Sequence, residues 1–202
     1  MAATLVWALP VPAVRTGELA LDELDESQLV TACLGGRAGA FDLIVERHRR
    51  PVYQLCYRFV GNHEDASDLS QDVFLRAYRG LKSFRGGSSL ATWLYRIAVN
   101  VCLNRVAVKK PVLENIDARQ YVDTDRESQV DRVLRKERGV QVRAAIAQLP
   151  PKQRATLVLR MYQELSHEEI AQVLGSSVGA VKANFFHALG NLKKILGAQD
   201  LT

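Results

Sequence analysis

Apolar residues recur at three- and four-residue spacing along most of this 202-residue chain. No stretch alternates as a half-buried strand would, and no Asn-Gly or Asp-Gly pair offers a hairpin turn. The pattern therefore predicts an all-α protein. A short helix is expected over 26–34, ended by Gly35-Gly36. A second is expected over 38–60, with Phe41, Ile44, Val45, Val52, Leu55, Cys56 and Phe59 inward and a kink or break at Pro51. A third is expected over 64–78 behind an Asn62 cap, and a fourth over 90–109 before Pro111. The rhythm fades over "PVLENIDARQYVD" at 111–123. It resumes behind a capping box, Thr124 with Glu127, and runs to Leu149. Pro150-Pro151 ends that helix and opens another over 152–162.

These breaks divide the chain into a tail (1–24), a helical domain (25–110), a flexible linker (111–124), a second helical domain (125–197) and a short tail (198–202). Charge follows the same division. Residues 1–40 carry −3, residues 41–110 carry +6, residues 111–140 carry −1 and residues 141–202 carry +3, for a net +5. Two basic blocks around a near-neutral connector suit two contacts with a polyanion, or merely two solvated basic faces. The 48% hydrophobic and 24% charged content is that of an ordinary globular protein. Cys33, Cys56 and Cys102 are unclustered, and each is expected to be a small apolar residue in a reduced, cytoplasmic protein. No apolar run is long enough for membrane insertion.

The stretch "SHEEIAQVLGSSVGAVKANFFHAL" carries the sharpest local signal. Ser166 and Glu169 form a capping box. Ala171 is small enough for a crossing helix, Gly175 suits a tight turn, and Ser176 or Ser177 caps the next helix. Val178, Val181, Phe185, Leu189 and Leu192 form the expected buried stripe. Ser177, Ala180, Lys182, Ala183, Asn184 and His187 lie off it. This is a helix-turn-helix pattern whose second helix suits the major groove; a plain helical hairpin is the alternative.

In the first domain, Asp65, Asp68, Gln71 and Asp72 share a helix face. An acidic face repels phosphate, so it is either solvated or a dock for a basic protein. The fourth helix differs: Thr92, Arg96, Asn100 and Asn104 recur every four residues, with Arg105, Lys109 and Lys110 beyond. Cations beside amides suit phosphates and base edges. The loop before it offers Ser83, Phe84, Arg85, two glycines and Ser88, which suit an unstacked base. Trp93 has an inward phase, as core or as a stacking platform. His48, His63, His167 and His187 are scattered and read as solvated or local hydrogen-bonders. No glycine-rich phosphate loop, metal-ligand cluster or nucleophile–base pair is present, so neither catalysis nor a cofactor is expected.

Two segments carry a resemblance. "DASDLSQDVFLRAYRGLKSFRGGSSLATWLYRIAVNVCLNR" resembles the first conserved domain of the extracytoplasmic-function sigma factors of bacterial RNA polymerase. "LPPKQRATLVLRMYQELSHEEIAQVLGSSVGAVKANFFHALGNLKK" resembles their second. The resemblance implies that Asp65, Asp68, Gln71 and Asp72 dock on the clamp helices of the largest subunit of core RNA polymerase. It implies a pocket at 83–89 for a base flipped from the −10 element, with Arg96, Asn100, Arg105 and Lys109 on that element. It places Ser176, Ser177, Ala180, Lys182, Ala183, Asn184 and His187 at the −35 element, and the linker near the polymerase active site. It further implies an anti-sigma factor as partner and a monomer when free, with no small-molecule substrate. Members usually carry several arginines along the recognition helix, where this chain has Asn184, His187, Leu189 and Gly190. The competing reading is a stand-alone helix-turn-helix regulator dimerising on operator DNA. A sigma mimic that only titrates an anti-sigma factor needs no basic fourth-helix face.

Overall fold

A computed structural model describes residues 20–108 and 129–199, without the side chains of 129–137 and 198–199. All regular structure among the described residues is helical. The chain runs α1 (Glu26–Leu34), α2 (Ala40–Val60), α3 (His63–Gly80) and α4 (Leu90–Val108), then α5 (Gln129–Gln148), α6 (Pro151–Tyr162), α7 (His167–Leu174) and α8 (Val178–Gln199). Short 3₁₀ turns precede α1 and follow α3. The capping box expected at Thr124 and Glu127, the linker at 111–124 and Lys109 lie outside the described residues.

Local chemistry sets the helix ends. The Asp25 carboxylate accepts a bond from the Gln28 amide at 2.8 Å, and the Gln28 side-chain oxygen accepts one from the Asp25 amide at 3.0 Å. The two bonds from Gln28 and Ser27 hold the Asp25 carboxyl below its usual range. Gly39 and Gly61 take left-handed conformations at the two ends of α2. Between them α2 is continuous, so of the kink or break expected at Pro51 the break does not occur. The proline forfeits only its own amide bond, and the neighbouring turns pack Val52, Leu55, Cys56 and Phe59 against α3 and α4. Pro151 occupies the first turn of α6, where its missing N–H costs nothing.

α2, α3 and α4 form the first domain around Ile44, Phe59, Val73 and Leu94, all essentially inaccessible to solvent. Cys56 and Cys102 are buried there, and a hydrogen bond between them together with burial pushes the Cys102 thiol up. Of the two roles expected for His48, solvated or hydrogen-bonded, the structure shows the second. It is buried 3.1 Å from Glu26 of α1, and burial lowers its pKa against the pull of that carboxylate. α6, α7 and α8 form the second domain around Leu159, Ile170 and Val181.

Ser166 caps the start of α7. Its hydroxyl accepts from the Glu169 amide at 3.1 Å, while the Glu169 carboxylate accepts from the Ser166 amide at 2.7 Å. Ser166→Ala is expected to destabilise the second domain by about 1 kcal/mol, read as a lower denaturation midpoint. An unchanged midpoint contradicts the capping role.

Candidate nucleic-acid and protein interfaces

The acidic face of α3 is narrower than its spacing suggested. Asp68 and Gln71 are exposed, and Asp72 is held by Arg76 one turn on, with Nε 3.0 Å from both carboxylate oxygens. Asp65 departs from them. It is buried at the first turn, accepts from the Asn62 amide group at 2.9 Å, and is paired with Arg105 of α4. The α3–α4 packing brings the start of one helix to the end of the other. Asp65 and Arg105, expected at two different interfaces, therefore bind each other.

The loop after α3 is ordered by its own backbone. The Ser83 hydroxyl donates to the Gly80 carbonyl at 2.7 Å, and the Phe84 amide to the Leu81 carbonyl at 3.0 Å. The Phe84 ring lies half-buried against Trp93, with centroids 5.3 Å apart. Trp93 therefore serves as the packed floor beneath Phe84. Arg85 is exposed beside Gly86, whose φ of +71° suits glycine. The Ser88 hydroxyl donates to the Ser89 carbonyl at 3.3 Å. Ser89 caps α4 by accepting from the Thr92 amide at 3.1 Å. Sequence reading missed that cap, although a serine immediately before a helical apolar run is its usual signal. It buries Thr92, so the polar row on α4 is reduced to Arg96, Asn100 and Asn104.

In the second domain α7 and α8 meet at the turn expected. Gly175 is left-handed at φ +57°, and the Ser177 hydroxyl accepts from the Ala180 amide at 3.2 Å. Val181 and Ala188 face the core, seven residues and two turns apart. Leu189, assigned to the buried stripe, is 45% exposed because it is rotated about 80° from that line. Ser176, Ser177, Lys182, Ala183 and His187 are exposed, with Ala180 and Asn184 half-buried at the margins. Phe186, 74% exposed, stands among them and was not anticipated.

The two domains are not separate bodies: their buried side chains form one continuous cluster. α7 packs across α4, and Arg96 donates to the Gln172 carbonyl through Nε at 3.1 Å and through Nη2. Arg154 of α6, only 2% exposed, donates to the Phe59 carbonyl and reaches the Arg58 carbonyl at 3.4 Å. Burial lowers its pKa to about 10, which leaves it charged at neutral pH. Arg58 in turn lies 4.0 Å over the Tyr162 ring. Arg154 shares a helix face with Leu157 and Val158, and a lone cation in an apolar stripe was the available signal.

Comparison with known proteins shows the family. Sigma-70 region 2 matches residues 44–111, and sigma-70 region 4 matches residues 139–192. The RNA polymerase sigma-H factor of Pseudomonas aeruginosa is 35% identical over 185 residues, covering 87% of this chain and 96% of its own length. The chain belongs to the extracytoplasmic-function sigma factors. SigW of Bacillus subtilis, an ECF sigma factor, is 35% identical over 170 residues, covering 80% of this chain and 91% of its own. A solved structure of CnrH in complex with the cytosolic domain of CnrY aligns with a TM-score of 0.62 at 26% identity, covering 84% of this chain and 96% of that one. The sigma factor RpoE in complex with the anti-sigma factor NepR, from Bartonella quintana, shares the fold at a TM-score of 0.60 and 22% identity, covering 79% of this chain and 98% of that one. This sigma factor is thus a transcription initiation factor that directs RNA polymerase to promoters. Its region 2 holds the α3 and α4 faces, and its region 4 holds α7 and α8. None of its described helices is long and apolar enough to cross a membrane.

Proposed function

We propose that Asp68, Gln71 and Asp72 dock this sigma factor on the clamp helices of core polymerase, with Asp65 acting only to position α3 through Arg105. What supports this division is the accessibility of the first three and the burial of Asp65. Ser83, Phe84, Arg85 and Ser88 receive an unstacked base of the −10 element, and Arg96 and Asn100 follow its backbone. Ser176, Ser177, Ala180, Lys182, Ala183, Asn184 and His187 face the −35 element. The proposed boundaries are 25–110 for the first domain and 125–197 for the second, joined by 111–124.

The observation that carries the reading is the combination on one domain of an acidic face and a cation–amide face. A DNA-only regulator has no use for the first. Footprinting a mapped promoter with and without core polymerase tests it: protection only in the presence of core is expected. Protection of a palindrome by the chain alone, with half-sites about one helical turn apart, overturns it in favour of a dimeric regulator. The factor acts in the cytoplasm as a monomer when free. An anti-sigma factor covers its working faces, a reading supported by exposed Leu75, Tyr78 and Phe186 beside the proposed polymerase and promoter contacts.

Lys182 is the one lysine or arginine of the recognition helix before Lys193. Lys182→Ala is expected to weaken binding of holoenzyme to all −35 sequences alike and to reduce the salt slope by about one. A change in sequence preference with an unaltered slope contradicts a phosphate contact.

A further inference from the structure

Phe186 is the most exposed large apolar side chain of α8 among the described residues, at 74%. At about 100° per residue, the positions within roughly 60° of it on the helix are Gly179, Lys182, Ala183, Leu189, Gly190 and Lys193. Gly179 and Gly190 carry no side chain, and a Cβ built at either meets open space. Ala183 adds a single methyl group. The backbone on this face can therefore come close to whatever it docks against, with the Phe186 ring reaching farthest. Lys182 stands one turn before the ring and Lys193 two turns after it, both exposed. The His187 ring stands beside it at 70°, with centroids 5.9 Å apart.

This arrangement is selective. Two lysines in line with the ring suit a polyanion, and the +3 charge of residues 141–202 points the same way. In a duplex the faces of the bases are stacked on one another. A ring entering the major groove therefore meets base edges only. Phenylalanine has no hydrogen-bond donor or acceptor in its side chain. The C5-methyl group of thymine is the apolar feature that those edges present. An arginine at this position would read guanine instead.

We propose that Phe186 is a specificity-determining residue of this factor, packing its ring against the C5-methyl of a thymine in the −35 element. The inference rests on the reading of α8 as the −35 reader, and it adds the chemistry by which one of the bases is chosen. Lys182 and Lys193 hold phosphates to either side of the ring and carry no sequence information. Leu189, 45% exposed, widens the apolar surface toward the end of the helix.

The test uses the full-length factor with core polymerase on its mapped promoter, each thymine of the −35 element replaced in turn by deoxyuridine. That exchange removes one methyl group and leaves base pairing intact. Competition binding should find a position where it weakens the wild-type holoenzyme about fourfold, the effect of leaving one methyl group unburied. Phe186→Ala should bind the thymine template about tenfold more weakly, and the exchange at that position should then cost nothing further. Phe186 is exposed, so a thermal melt of the variant should match wild type, and the exchange in the DNA probes the contact without altering the protein. Undiminished binding to every deoxyuridine template overturns the contact. So does a −35 element with no thymine on either strand, or a deoxyuridine penalty that persists in Phe186→Ala. Scrambling the whole −35 element separates this inference from the reading beneath it. Weakened binding there, with no deoxyuridine effect, overturns the methyl contact alone; unchanged binding overturns the −35 reading with it.

Discussion

Asp72→Lys is expected to weaken binding to core RNA polymerase by about a hundredfold, roughly 3 kcal/mol, while leaving the fold intact. The side chain is accessible on α3, and its ion pair with Arg76 is a surface pair one turn apart. Such a pair stabilises a helix by only about 0.3–0.5 kcal/mol, so its loss does not threaten the domain. At the docked interface the same carboxylate would lose water and face a basic partner, where reversing its sign replaces attraction with repulsion. Equilibrium binding of labelled factor to core, beside a thermal melt, separates the two effects. Unchanged affinity for core means that the acidic face is only a solvated surface. Asp65→Asn supplies the contrast, since it removes a buried partner of Arg105 and should act through stability instead.

Phe59→Ala is the second large effect, and it runs through folding. Phe59 is fully buried in α2, and its ring lies 5.5 Å beneath the Arg154 guanidinium while its carbonyl accepts from the same group. Removing the ring is expected to cost about 3–5 kcal/mol. A domain stabilised by some 5–15 kcal/mol loses a large share of its margin. Chemical denaturation should show a much lower midpoint, with core binding lost at temperatures where wild type is folded. An unfolding free energy within about 1 kcal/mol of wild type contradicts the packing described. The two variants differ in kind: the α3 variant fails to bind while folded, and the α2 variant fails because it unfolds.

How far the sequence carried can be judged at particular residues. The Ser166–Glu169 box, the Gly175 turn and the Ser177 cap were legible because each rests on contacts within four residues. The same locality made α1 and the ends of α3 and α6 readable to within a residue or two. Helical phase correctly exposed Asp68 and Gln71. It failed at Asp65, where an arginine forty positions away decides the environment, and at Leu189, where an alanine one residue earlier is the better fit to the crossing helices. Of the kink or break expected at Pro51 the break is absent, because a long helix packed on two neighbours absorbs the loss of one backbone bond. The largest gap was the contact between the domains. Charge and linker composition suggested two bodies, and nothing local to Arg96 or Arg154 pointed to carbonyls 76 and 95 positions away. The exposure of the candidate residues was thus readable in the sequence, and the contact between the domains was not.

The central claim is that one chain joins core polymerase to a promoter through two readers. Transcription by purified core polymerase on a promoter mapped after overexpression of this factor tests it most directly. The account predicts initiation at one defined start that depends on the factor and is abolished by Asp72→Lys. No stimulation on such a template, or stimulation that survives that substitution undiminished, would contradict it.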